Sequence, residues 1–174
     1  MKKITLAVGV IGVLAVVTHD AHAGNVDQND PCSPPVVVHN LLSLISDGDL
    51  DGAMELLDVD VTYVNVGLAK VESRAEASAF LSPLVSLFSS INLVDPATFS
   101  VMHNGKKVNV ERVEHYTVSP YAPFGNPGNR FDLHVSGNFT VENCQVTRWV
   151  DYFSLEEFNT GSGFDLPADL TAVP

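Results

Sequence analysis

Residues Val108–Val118 read VNVERVEHYTV, and alternation of this kind confines the stretch to a strand with one face toward an interior. Val108, Val110, Arg112, Glu114, Tyr116 and Val118 share that face, while Asn109, Glu111, Val113, His115 and Thr117 share the other. The inward face therefore holds an arginine and a glutamate at its centre. Ions turned toward an apolar interior cost several kcal/mol unless they are paired or put to use. Taken alone, Arg112 and Glu114 read as a structural ion pair at a sheet edge. They become a site only if other segments bring polar groups to the same place.

The rest of the chain supplies such segments. Ser33-Pro34-Pro35 predicts a helix start with Ser33 as its cap, followed by a stripe of Val37, Val38, Leu41, Leu42 and Ile45 that ends at Gly48. A second helix is predicted over about Leu50–Leu57, and a strand over Val59–Val66 with Val59, Val61, Tyr63 and Asn65 on one face. Ser73 with Glu76 is a capping box that opens a third helix running through Phe80, Leu84 and Phe88, bent at Pro83. A meander of antiparallel strands follows. Phe99, Val101 and His103 share a face before the Asn104-Gly105 turn. After Val108–Val118 and a Pro- and Gly-rich loop over Ser119–Asn129 comes Arg130–Val141, with Phe131, Leu133, Val135, Gly137, Phe139 and Val141 pointing one way. Glu142-Asn143 turns the chain into a last strand, Cys144–Phe153, with Trp149, Asp151 and Phe153 on one face, and a short helix Leu155–Phe158 closes the order. Helices first and a curved, largely antiparallel sheet afterwards make an α+β domain. Helices packed on the concave side of that sheet leave a cone with a ligand pocket.

Three strands share one anomaly: Tyr63 and Asn65, Arg112 and Glu114, and Asp151 all lie among apolar neighbours. Each would pass singly for a satisfied residue at the margin of a core. Together they suggest one destination. Two carboxylates beside one arginine titrate as a coupled set and share a proton near neutral pH. A pair with one charged and one protonated carboxyl suits paired general base and general acid catalysis.

Tyr63-Val64-Asn65, Glu111-Arg112-Val113-Glu114 and Trp149-Val150-Asp151-Tyr152-Phe153 resemble, in order and rough spacing, the three signature segments of limonene-1,2-epoxide hydrolases. The resemblance covers roughly residues 36–167. It implies the cone-shaped fold shared with nuclear transport factor 2 and ketosteroid isomerase, and cofactor-free epoxide hydrolysis in one step. It implies Asp151 as the base acting on a water also held by Tyr63 and Asn65. Position 114 would supply the acid, and Arg112 would lie between the carboxylates. Tyr116, Leu133, Val135, Trp149, Phe153 and Phe158 would form the wall against a small apolar epoxide. A homodimer would be in keeping with the family. The chain departs from the pattern at Glu114, where relatives usually carry aspartate, and the added methylene shifts the carboxyl by about 1.5 Å. Two other readings fit the same pocket: a non-enzymatic protein that binds an apolar small molecule, and an isomerase or epoxide-opening cyclase.

The amino terminus adds a cellular context. Lys2 and Lys3, an uncharged run Ile4–Val17, and Ala21-His22-Ala23 describe a signal peptide cleaved after Ala23. A flexible stretch over 24–32 and one domain over 33–174 would follow, exported to the periplasm or beyond. Loss of two of the 9 basic and one of the 21 acidic residues would take the net charge from −12 to −13. That charge repels nucleic acid and anionic membranes. Cys32 and Cys144 either form a disulfide or remain two thiols, and the sequence leaves both open. His103, His115 and His134 show no metal-ligand spacing. Gly161-Ser162-Gly163 reads as a hinge rather than a nucleophile elbow.

Overall fold

The computed structural model describes residues 30–169, so the expected leader, positions 24–29 and the tail from 170 onward lie outside the described residues. Helix α1, Pro34–Ser46, buries the predicted stripe against the sheet. Ser33 takes the cap position, but its side chain makes no capping bond; its carbonyl instead accepts the Val37 N–H at 3.0 Å. Gly48, with φ +80°, turns the chain out of the helix. Helix α2, Leu50–Glu55, is capped by the Asp49 carboxylate on Gly52 N–H and stops two residues short of the expected end. Leu57 already belongs to the sheet, paired with Val146.

Strand β1, Leu57–Asn65, runs parallel to the last strand of the chain. Its register shifts between Leu57 and Thr62, a bulge that turns Val59 out to 63% exposure. The predicted inward face thus begins at Val61, not Val59. A three-residue strand β2, Ala69–Val71, folds back on β1; nothing that short was legible in sequence. Helix α3, Arg74–Ser86, starts on Ser73, whose hydroxyl accepts the Glu76 N–H at 3.2 Å. The returning half of the capping box is displaced by one residue, because the Glu76 carboxylate takes the Glu72 N–H at 2.8 Å.

The predicted continuation of α3 through Phe88 does not occur. Phe88 opens strand β3, Phe88–Asn92, and pairs with Val118; helical spacing yields to a partner strand. Strands β4, Ser100–Asn104, and β5, Lys107–Val118, form the hairpin expected at Gly105. β3 and β4 divide one edge of β5 between them, and the Thr98 hydroxyl lies in the gap, between Val113 N–H at 3.3 Å and its carbonyl at 3.4 Å. β4 lies out at that edge and leaves Val101 and Met102 36% and 60% exposed.

Strand β6 spans Arg130–Glu142 and β7 spans Gln145–Tyr152. The turn between them uses Asn143 and Cys144, both at positive φ (51° and 63°), so Cys144 belongs to the turn and not to the strand. It is bonded to Cys32 with a Cα–Cα distance of 4.5 Å, which settles the open question of the two thiols and ties down the described end of the stretch expected to be flexible. Helix α4, Leu155–Ser162, is four residues longer than predicted. Gly161-Ser162-Gly163 is its carboxyl end and not a hinge: the Ser162 hydroxyl donates to the Phe158 carbonyl at 2.7 Å, and Gly163 caps the helix with φ +71°.

The strand order is β2-β1-β7-β6-β5-β3, with β4 beside β5. α1 packs on β6, β5 and β3, α3 on β1, and α4 on β6. One apolar cluster lies beneath α1 and α3 and a second beneath α4. Ile91 and Tyr116 touch both clusters, so the space between them lies over the middle of β5, β6 and β7.

Candidate active site

Pairing across the sheet assembles the polar set. Asn65 on β1 lies opposite Asp151 on β7, Tyr63 opposite Trp149, and Asp151 opposite Gly137 on β6. On β5, Arg112 pairs with Val135 and Glu114 with Leu133. All five predicted polar residues line one cavity roofed by α1, α3 and α4 side chains, and so do Tyr116, Leu133, Val135, Trp149, Phe153 and Phe158. The helix residues Ile45, Leu81, Leu84 and Val85, together with Leu68, Phe88, Ile91 and Leu93, complete the wall; a helix face turned to a pocket has the same pattern in sequence as one turned to a core.

Arg112 is the junction of the site. Its Nε donates to Glu114 Oε1 at 2.8 Å, and its Nη2 lies 2.6 Å from the same oxygen as an ion pair and donates to Asp151 Oδ2 at 3.1 Å. The guanidinium is 1% exposed and the two carboxylate side chains 6% and 7%. Burial works against the Arg112 charge, but the charges of Asp151 and Glu114 outweigh it and hold the guanidinium above its ordinary range. Asp151 is pushed up to about 6, chiefly by burial, with Arg112 opposing and the Glu114 charge adding. Burial, then the Asp151 and Glu114 charges, also pushes the Tyr63 phenol well up.

The two carboxylates are treated differently. Asp151 Oδ2 is taken by Arg112, whereas Oδ1 is buried and accepts from no side chain. The Trp149 indole N–H leans toward Asp151 and favours its charge without forming a full hydrogen bond. Beside Asp151, Asn65 Nδ2 donates to Tyr63 Oη at 2.7 Å, which leaves the Tyr63 proton and the Asn65 carbonyl free to act on a third group. Glu114 has no free oxygen: Oε2 receives the Tyr116 hydroxyl.

Two contributors were missed in sequence. Tyr116, expected in the wall, also places its hydroxyl in the polar set. Gly137 was counted among the apolar residues of its face, yet a Cβ there would meet Arg112 Nη1 at 2.6 Å and Asp151 Oδ1 at 2.9 Å. A glycine in mid-strand commonly marks such a close approach, so the signal was present. On the outer face, each ring nitrogen of His115 meets a carboxylate, Asp132 at 2.8 Å and Asp95 at 2.9 Å, and both nitrogens donate when the ring is protonated.

A curved mixed sheet closed by helices over one apolar pocket with buried ionisable groups is the cone architecture of the ketosteroid isomerase-like proteins. Within that class, residues 32–161 match the model of the limonene-1,2-epoxide hydrolase catalytic domain, and the chain belongs to that family. Among solved structures, an LEH-like epoxide hydrolase of M. tuberculosis is 22% identical, with a TM-score of 0.52 over 72% of this chain and 86% of that one. A candidate polyketide cyclase of Xanthomonas campestris is also 22% identical, with a TM-score of 0.65 over 74% and 96%. A protein of ketosteroid isomerase-like fold from Catenulispora acidiphila, in complex with trimethylamine, is 19% identical, with a TM-score of 0.62 over 76% and 95%. At such identities these likenesses bear on the fold alone.

Proposed function

We propose that the protein is an exported epoxide hydrolase that adds water in one step to a small apolar epoxide and releases a vicinal diol. The observation that carries this reading is the Arg112 junction, which fixes two buried carboxylates in one apolar cavity and leaves one oxygen of Asp151 without a partner. A water lodged there can donate to Asp151 Oδ1 and to the Asn65 carbonyl while it accepts from Tyr63. Asp151 then removes its proton as the oxygen attacks carbon. The ring oxygen leaves only when a proton reaches it, and the Glu114 side of the junction supplies that proton. Each transfer contributes on the order of 10²–10⁴ in rate, and holding water and ring carbon in line adds to it. No cofactor enters the scheme.

The test is a single turnover in ¹⁸O-water with a panel of small apolar epoxides. The expected product is a diol labelled in that first turnover. Label that enters the protein first, or no diol across the panel, overturns the reading. The full engagement of both Glu114 oxygens favours a second reading, ligand binding without turnover; bound epoxide recovered unchanged would identify it. A ring ether or a shifted double bond would instead identify a cyclase or an isomerase. Export is supported by the Cys32–Cys144 disulfide, since such bonds persist in oxidising compartments, and by the leader pattern of residues 1–23. The mass of the secreted chain tests it: an amino terminus at Gly24 is expected, and an intact Met1 would refute it. Sedimentation tests a homodimer, the assembly in keeping with the family.

A further inference from the structure

The acid side of the site is built unlike the base side. Asp151 lines the cavity and keeps one oxygen without a partner, whereas Glu114 has both oxygens occupied, one by Arg112 and one by Tyr116. Glu114 is 4% exposed overall, while Tyr116 is half-buried and lines the cavity. The ring of Tyr116 cannot swing away: it stacks on Phe131 at 5.0 Å with planes 13° apart, and meets Phe158 edge-on at 6.1 Å and Phe88 at 4.8 Å. Only its O–H bond is free to rotate. The longer side chain of glutamate carries the carboxyl to this hydroxyl, two residues along the same strand face.

We propose that Tyr116 is the catalytic group that touches the epoxide oxygen, and that Glu114 acts through it as the proton reservoir. The inference deepens the hydrolase reading and rests on it. With the shared proton on Glu114, the bond between the two side chains reverses: Glu114 Oε2–H donates to Tyr116 Oη, and the tyrosine hydrogen turns into the cavity. As the ring C–O bond breaks, the Tyr116 proton passes to the ring oxygen and the Glu114 proton replaces it. A new C–O bond forms from water, whose proton goes to Asp151. The products are a diol, Glu114 as carboxylate and Asp151 as acid; proton exchange with solvent restores the starting pair. Burial and the neighbouring Glu114 charge push the Tyr116 phenol well up, so a free tyrosinate does not accumulate and the two transfers are coupled.

Three variants test this on the full chain. Tyr116→Phe keeps the ring contacts and removes the hydroxyl; kcat should fall roughly 10²–10⁴-fold on alkyl epoxides, and far less on aryl epoxides, whose carbon shares the developing positive charge. Glu114→Asp withdraws the carboxyl from Tyr116 by about 1.5 Å, and misplacement of about 1 Å slows turnover roughly 100-fold. Fluorotyrosine at position 116 keeps the shape and makes the phenol more acidic, so kcat should track its acidity. Unchanged kcat in Tyr116→Phe, equal losses on alkyl and aryl epoxides, a faster Glu114→Asp, or indifference to fluorination each overturns the relay. In those cases diol formation by the wild type, lost in Asp151→Asn, leaves the hydrolase reading standing. Absence of diol from the wild type overturns both.

Discussion

Replacement of Gly137 by alanine is the sharpest structural test of the site. The added Cβ would lie 2.6 Å from Arg112 Nη1, 2.8 Å from a Phe139 ring carbon and 2.9 Å from Asp151 Oδ1, where ordinary contact begins at 3.4 Å. One or more of these atoms must therefore retreat by about 0.5–0.8 Å. The guanidinium cannot swing to solvent, because it is 1% exposed and two of its nitrogens are bound to Glu114. Its retreat would drag Glu114 with it and lengthen the 3.1 Å contact with Asp151. Overpacking of this kind costs about 1–3 kcal/mol, which for a domain of this size is roughly 2–12 °C in Tm. Turnover should fall more than stability, about 100-fold for a displacement approaching 1 Å. A thermal melt and initial rates on an alkyl epoxide measure both. Wild-type rate together with an unshifted melt would refute the packing of the junction over Gly137.

Other outcomes follow from the charges and cross-links. Asp151 is held up near 6 against an ordinary 3.8, so the folded state binds a proton more tightly than the unfolded one between those values. Stability should drop as pH rises through that window, by up to about 3 kcal/mol (2.2 pK units at 1.36 each), and Asp151→Asn should remove this dependence along with turnover. The one-step scheme needs one proton on the pair, so kcat/KM should fall as pH rises through about 6; a rate that climbs through that region would contradict it. His115 is raised by its hydrogen bonds to Asp132 and then Asp95, so its contribution is complete below an ordinary histidine pKa, about 6.5, and is lost as pH rises from there through the raised folded value. His115→Gln should flatten the Tm decline above that pH, and an unchanged slope would remove the clamp. Reduction of Cys32–Cys144, which closes a separation of 112 residues, should cost about 2–5 kcal/mol, read as a lower melting temperature in reductant.

The polar set was legible because a strand has period two. Once Arg112 and Glu114 lay on an apolar face, the neighbouring strands had only to present Tyr63, Asn65 and Asp151 in the same direction, and the pairings Asn65↔Asp151 and Arg112↔Val135 show that they do. Where the period was interrupted, reading failed. The bulge that exposes Val59, the passage from α3 into β3 at Phe88, and the left-handed turn at Asn143-Cys144 all depend on partner strands far off in sequence. Hydroxyls were the other blind spot. A tyrosine among phenylalanines looks like wall, and only the position of Glu114 Oε2 shows that Tyr116 belongs to the chemistry.

The departure at position 114 and the tyrosine at 116 are best understood together. A glutamate placed where aspartate would serve risks misdirecting the acid, and an unpaired carboxylate so deeply buried would be costly. Here the longer arm delivers one oxygen to two Arg112 nitrogens and the other to Tyr116, so both Glu114 oxygens are matched, while Asp151 Oδ1 and Arg112 Nη1 stay unmatched. Desolvation is thus offset less fully at Asp151, where Arg112 holds Oδ2 alone, than at Glu114, where both oxygens accept hydrogen bonds. That asymmetry raises Asp151 and gives the two carboxylates different tasks, although both depend on the same arginine.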